Sequence, residues 1–387
     1  MPERADGSVR WILQRAAKAA LAGALTAAGM HHAVGMVRRR RAGGRRVLIL
    51  SYHRVTHDFA ASAREGLASL LVSVDTLRRQ LELVGRSREL VSLADALRIL
   101  DEPPGAGRGD VAAVTFDDGY AEVVEHAFPV LARLRIPFSV FVPTGLVGTE
   151  HRLPHDRLHG SLGALALRGI AYERAGLPAP LQLLLSACAE RGPAATLDRL
   201  ISRLPHDRLL ALADALERRL GRSERDLPDG TRLARWEDLQ ALQAAGVDVG
   251  GHTMTHAALG NLSLAEVRRE VEGCRDQLAA RLGGRPRHFA YPNGHHSPAV
   301  RDIVARAGFE AAVTIDDEEN RHGGDRYSVK RKVLWENTTL GPVGWSRSVA
   351  TCNLNDVFTT LRLTRPVLGE RPDPVPEPAP AEERVAG

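Results

Sequence analysis

The run Val111-Ala112-Ala113-Val114-Thr115-Phe116-Asp117-Asp118-Gly119-Tyr120 decides the reading of this 387-residue chain. Its first six residues are short and almost wholly apolar, which predicts a buried strand. Asp117 and Asp118 then fall where that strand ends in a turn, the position at which α/β enzymes place their chemistry. Downstream, His252-Thr253-Met254-Thr255-His256 follows a second apolar run, 247–249, through Gly250 and Gly251. The paired glycines let the backbone turn closely there.

On a helix, residues four apart share a face, so His252 and His256 are expected to bring two imidazoles to one metal ion. A carboxylate from another strand end completes a facial set of two nitrogens and one oxygen, leaving positions for water and substrate. Asp118 is the natural third ligand, and Asp117 the acid left free to take a proton. An HxxxH pair or a DD turn alone is more often structural than catalytic. Their joint occurrence, each directly after a buried-looking strand, reverses that balance. Such a donor set accepts zinc, cobalt, nickel or manganese.

Further strands are predicted at 47–51, 137–142, 247–251, 288–291 and 310–315, beside the one at 111–116. Helical periodicity fills the gaps, at 74–84, 120–134, 236–245, 264–282 and 298–307. Ser263 and Glu266 form a capping-box signature at the start of the fourth. Alternating strands and helices argue for a parallel sheet, and the number of units favours a barrel over an open sheet. The rhythm breaks between about 150 and 235, where helical patterns (179–189, 209–220) come without a persuasive strand. That region is expected to be a helical insertion on a loop at the catalytic end. The proline-rich 366–387 is a disordered tail by composition.

Hydrophobic residues make up 44% of the chain, enough for a sizeable core. Cys188, Cys274 and Cys352 make neither a CxxC zinc site nor a disulfide framework, so a reducing compartment is expected. The net charge of +5 is unevenly placed, with Arg38 to Arg41, Arg45 and Arg46 close together. Aromatic content is only 4%, which argues against nucleic acid as the partner of that cluster. Upstream, 17–37 is rich in Ala, Leu and Gly but carries Lys18, His31 and His32, and no cleavage site of a secretory signal is evident. Residues 1–46 therefore have three readings: an amphipathic segment on an anionic membrane surface, a helix packed on the domain, or a weak uncleaved anchor. The expected location is cytoplasmic, at the inner face of the membrane.

The motifs resemble those of the polysaccharide deacetylase family, also called the NodB-homology or carbohydrate esterase family four. Thr115-Phe116-Asp117-Asp118-Gly119 matches its first motif and His252-Thr253-Met254-Thr255-His256 its second. Phe289-Ala290-Tyr291-Pro292-Asn293-Gly294 matches the third in a variant form. The stretch 47–55, VLILSYHRV, resembles the first strand of the branch that includes poly-N-acetylglucosamine deacetylases. The similarity covers roughly 47–335 outside the insertion, within a catalytic region taken as 47–365.

The resemblance implies an α/β fold, a distorted (β/α) barrel of seven strands with a helical insertion. It implies a divalent metal, commonly zinc, held by Asp118, His252 and His256, with Asp117 as general base. The substrate implied is an N-acetylated hexosamine glycan, cleaved to acetate and a free amine. A backbone N–H at Asn293 would stabilise the oxyanion, and Tyr291 and Pro292 would shape a groove wall. His53 follows a strand into a loop and reads either as a neighbour of the metal or as a surface histidine, while Asn320 and Arg331 are placed around the site by the same likeness. Trp236 reads as core rather than a sugar-stacking platform.

Two departures stand out. Ala290 occupies the place where many members carry an arginine that orients the base. The late histidine that serves as acid has no clean match in 329–335, leaving His295, His296 and His322 as unplaced candidates. An O-acetyl esterase and a non-catalytic glycan-binding protein are the rival readings.

Overall fold

A computed structural model describes residues 3–42, 45–103, 109–190, 192–317 and 320–363. The expected tail, 366–387, and the last two residues of the expected catalytic region lie outside the described residues.

Eight strands build the main sheet: β1 (Val47–Tyr52), β2 (Arg88–Leu90), β3 (Asp110–Phe116), β4 (Phe138–Val142), β5 (Asp248–Gly251), β6 (His288–Ala290), β7 (Ala311–Val313) and β8 (Lys332–Val333). Seven follow one another in the order β8-β1-β3-β4-β5-β6-β7, with β2 pairing beside β3. Every pairing is parallel. At the far edge Val313 bridges Val329 in parallel, while Lys332 pairs with Leu50 of β1. The short run 329–333 thus touches both edges and curls the sheet into a distorted (β/α) barrel.

All seven residues of β3 are buried. Ala112, Val114 and Phe116 join the largest apolar cluster, whereas Val111 and Ala113 join a second one on the other face. A strand covered on both faces reads as a continuous apolar run instead of an alternating one, which is why this stretch was so informative. The helix Leu264–Leu282 has the bounds its periodicity predicts, and the Ser263–Glu266 capping box is formed. The single helix expected at 120–134 is broken into a π-turn, Val123–Ala127, and a helix, Phe128–Leu134. Pro129 has no N–H to give, so the i→i−4 ladder cannot run through it. Strands β2 and β8 are not among the predicted strands: Arg88-Glu89-Leu90 and Lys332-Val333 lack the apolar run that marks the others.

The region after β4 folds as helices Pro154–Leu167, Ala179–Ala187, Pro193–Arg203 and His206–Leu220 around an apolar cluster of their own. Asn261, in the loop beyond β5, ties this region to the barrel by donating its amide to the carbonyls of Ile201 and Leu204.

The N-terminal helices Glu3–Ala27 and Met30–Arg41 pack against Arg347–Leu354 and Val357–Thr360. They share a small cluster of Ala22, Val34, Val349, Cys352, Val357 and Phe358. Half of the arginine run is tied to the body. Arg38 pairs with Asp356 at 2.5 Å and Arg39 with Asp110 at 3.0 Å, while Arg40 and Arg41 are exposed.

Candidate metal centre

The motif loops follow β3, β5 and β6 at the carboxyl ends of the strands. Among the described residues, four of the seven non-glycine residues with positive φ lie in them: Asp118 (71°), Thr253 (65°), His256 (62°) and Asn293 (55°). Left-handed backbone is uncommon outside glycine, and for β-branched Thr253 it is strongly disfavoured. Strain of this kind costs roughly 1–3 kcal/mol per residue and persists where the surroundings over-determine it.

The expected helix at 252–256 does not form. These residues are an irregular loop, and the two histidines converge through the left-handed turns at Thr253 and His256 instead. Glu270, on the helix Leu264–Leu282, pins the loop by accepting from the N–H of Met254 (2.8 Å), the N–H of Thr255 (3.0 Å) and the Thr255 hydroxyl (2.8 Å). Gly250 serves close packing rather than the turn. A Cβ there would lie 2.6 Å from the His288 carbonyl and 2.7 Å from the Phe141 ring.

Asp118, His252 and His256 are all buried, and their donor atoms lie within 4.8 Å of one another. Asp118 Oδ1 is 3.0 Å from His256 Nε2 and 3.4 Å from His252 Nε2. His252 Nδ1 is 2.7 Å from the Ala290 carbonyl oxygen, which only accepts, so the ring proton sits on Nδ1. In the neutral ring, Nε2 then turns a lone pair toward a carboxylate oxygen. Two acceptors face to face call for a cation between them, and these residues fit a divalent metal. Burial pushes His256 down to about 4, so it is neutral at pH 7. Burial opposes ionisation of Asp118, but His256 and His252 beside it hold its carboxyl well below the usual range. An ionised Asp118 and a neutral His256 are the forms that metal ligation requires.

Asp117 points elsewhere. Its two oxygens receive the Arg331 guanidinium at 2.7 and 2.6 Å. Arg331 is itself fixed by the Thr314 carbonyl (2.8 Å) and the Thr115 hydroxyl (2.9 Å). Burial pushes Asp117 up, but the charge and hydrogen bonds of Arg331 outweigh this and leave the carboxyl below its ordinary value. The arginine absent at Ala290 is thereby supplied from residue 331, next to β8. Asn320 does not reach the acids. Its side chain brackets the Lys330 backbone at 2.8 and 2.9 Å and so steadies the strand that presents Arg331. His53 Nε2 lies 4.0 Å from Asp117 Oδ2, with its side chain 14% exposed.

The side chains of Tyr291, His296 and His322 are engaged away from the centre. The Tyr291 side chain has no exposed surface and donates its hydroxyl to the Tyr327 carbonyl, so it packs the core rather than a groove wall. Pro292 is buried beside it, while Asn293 is half-buried. His296 stacks on Tyr291 and uses both ring nitrogens, on the Gly294 carbonyl and the Ser328 hydroxyl. His322 is exposed and contacts the Leu100 carbonyl. His295 is half-buried. Trp236 packs on the main core with Arg281 over its ring.

The residue missed by sequence reasoning is His155, on the first turn of the inserted helix Pro154–Leu167. Its Nε2 is 2.8 Å from the Tyr120 hydroxyl and 3.8 Å from Asp118 Oδ2, and its ring stands edge-on to His256. Tyr120 donates to Asp156 at 2.9 Å, so it accepts from His155. Burial pushes His155 down to about 4 and Asp156 up to about 6. The available signal was Pro154 opening a helix beside a His-Asp pair, hidden within a stretch read only as an insertion.

This is a barrel enzyme centre of two imidazoles, one carboxylate and a separate arginine-held acid. Residues 105–312 match the sequence model of polysaccharide deacetylase, and the chain belongs to that family. It is a hydrolase of the deacetylase type. Among solved structures it is similar to IcaB from Ammonifex degensii, at 20% identity and TM-score 0.50, over 80% of this chain and 97% of that one. It is also similar to the Streptococcus pyogenes deacetylase PplD in complex with acetate, at 17% identity and TM-score 0.49, over 77% and 95%. At such identity the likeness to IcaB speaks to the fold alone. No curated protein sequence matches the chain.

Proposed function

We propose that the chain removes N-acetyl groups from the hexosamine units of a glycan, with Asp117 as base and a zinc ion held by Asp118, His252 and His256. The observation that carries this reading is the divergence of two adjacent acids, one onto a pair of imidazoles, the other onto Arg331. When bound, the ion supplies Lewis-acid polarisation of the acetamide carbonyl and makes water more acidic. Asp117 takes the proton of the attacking water, and Arg331 fixes the carboxylate for that transfer. His53, partly open to solvent beside Asp117, hands a proton to the departing sugar amine. The left-handed turn at Asn293 offers a backbone N–H to the oxyanion.

The test is acetate release from N-acetylglucosamine oligomers by purified protein, before and after chelation and zinc return. Release that is lost on chelation and restored by zinc supports the reading. Release only from O-acetylated oligosaccharides, or unaltered release after chelation, sinks it.

A further inference from the structure

The helix Glu3–Ala27 is amphipathic in the wrong sense for a helix facing water. A surface helix sends its charge outward. Here the exposed side is Leu13, Ala17, Ala20, Leu21 and Ala24, spaced three and four apart. Along 12–27 the two charges turn inward: Arg15 bonds Asn337, and the Lys18 ammonium lies over the Phe358 ring at 5.4 Å. The second helix continues the pattern, with Met36 (60% exposed) and Val37 (45%) one turn before exposed Arg40 and Arg41. Among the described residues, eleven large apolar side chains are exposed. Eight of them lie on these two helices or on adjoining segments, at Val343, Leu361 and Leu363. So much apolar surface in one place marks an interaction site.

Charge selects the occupant. Residues 1–46 carry ten basic and two acidic side chains, a local +8 against +5 for the whole chain, so the remainder is net acidic. Such a basic patch opposes a second copy of itself, since a two-fold contact sets like charges together. Single-stranded nucleic acid is bound on basic groups interleaved with aromatics, and Trp11 is alone among Phe, Tyr and Trp in 1–46. An anionic bilayer satisfies both parts, taking the apolar side chains into its interface and the arginines against its phosphates. Among the described residues, no single helix is long and apolar enough to cross a membrane. The two helices pass that test only together, and they are bent by 71° at their junction, where Gly29 has φ 70°. We infer that the outer face of this helical pair beds in the interface of an anionic phospholipid membrane and holds the catalytic barrel there. The inference is independent of the reaction assigned above.

The full chain is incubated with phosphatidylcholine vesicles, with or without phosphatidylglycerol, and sedimented at low and high salt. Binding is expected to the anionic vesicles and to weaken with salt. The double variant Arg40→Gln/Arg41→Gln should lose roughly thirtyfold in affinity for them, at about a decade and a half for two basic groups. Leu13→Asp and Val37→Asp, at positions 63% and 45% exposed, should melt like the parent yet bind weakly. A chain that stays in the supernatant with both vesicle types overturns the proposal. So does variant binding equal to the parent's, or a lipid-free dimer that Leu13→Asp dissolves.

Discussion

The guanidinium of Arg331 grips both carboxylate oxygens of Asp117, although 214 residues separate them in the chain. The pair is fully buried, so each charge depends on the other. Breaking a buried pair by removing one partner costs about 3–5 kcal/mol, because the survivor is stranded. Arg331→Met should therefore lower stability by that order and cut kcat roughly 100-fold or more, as expected for a misplaced base. Metal content, by elemental analysis, should stay near the parent's. The double variant Arg331→Met/Asp117→Asn should regain much of the lost stability in urea melts, without regaining activity. A single variant with full kcat would show that Asp117 needs no clamp.

Neighbouring acids with different partners should separate by metal content. Asp117→Asn keeps the three ligand residues and is expected to bind zinc as the parent does, while acetate release falls by roughly 10²- to 10⁴-fold. His256→Ala removes one of three ligands and should emerge from purification metal-poor. Equal metal loss in both variants would contradict the division of roles between Asp117 and Asp118.

The barrel was legible because strands buried on both faces leave continuous apolar runs, as β3 does. The ligand triad was legible for the same reason: its members sit directly after such runs. Its local geometry was not. HxxxH suggests a helix by spacing alone, whereas Thr253 and His256 adopt left-handed backbone held by Glu270, fourteen residues beyond His256. Arg331 was named from likeness, but its partner could be found only once residues 329–333 were seen to close the barrel between β1 and β7. His155 stayed invisible because an inserted helix has no fixed register with the strand it leans on. Tyr291 looked like a groove residue, yet its ring fills the core under Phe289 and Phe309.

His155 offers a test of how far the insertion serves the centre. Its proton engages Tyr120, whose own proton goes to Asp156, and its ring edge confines Asp118 and His256. Partners behind a ligand typically contribute 10- to 100-fold in metal affinity. His155→Phe should weaken zinc binding by that order in competition with a chromophoric chelator. His155→Gln, which can still donate to Tyr120, should lose less. Identical affinities for parent and His155→Phe would reduce the residue to packing.

Asp356 anchors the opposite end of the barrel, and its charge predicts a pH dependence of stability. It receives Lys332 at 2.6 Å, Arg38 at 2.5 Å and Arg46 at 3.1 Å. Burial pushes its carboxyl up, but Lys332 and the arginines outweigh that and hold it below its ordinary value. A carboxylate depressed in the folded state stabilises the fold in full above its unfolded pKa, about 3.9, and loses that contribution as pH falls through the folded value. Asp356→Asn keeps the shape and tolerates the left-handed backbone at this position (φ 56°) while removing the charge. At neutral pH the variant should be less stable by about 3–5 kcal/mol in urea melts, with three cations left around a neutral amide. As pH drops below 4 the parent should descend toward the variant, because a protonated Asp356 resembles asparagine. Two curves that stay parallel down to pH 3 would mean that the stability difference does not come from this charge.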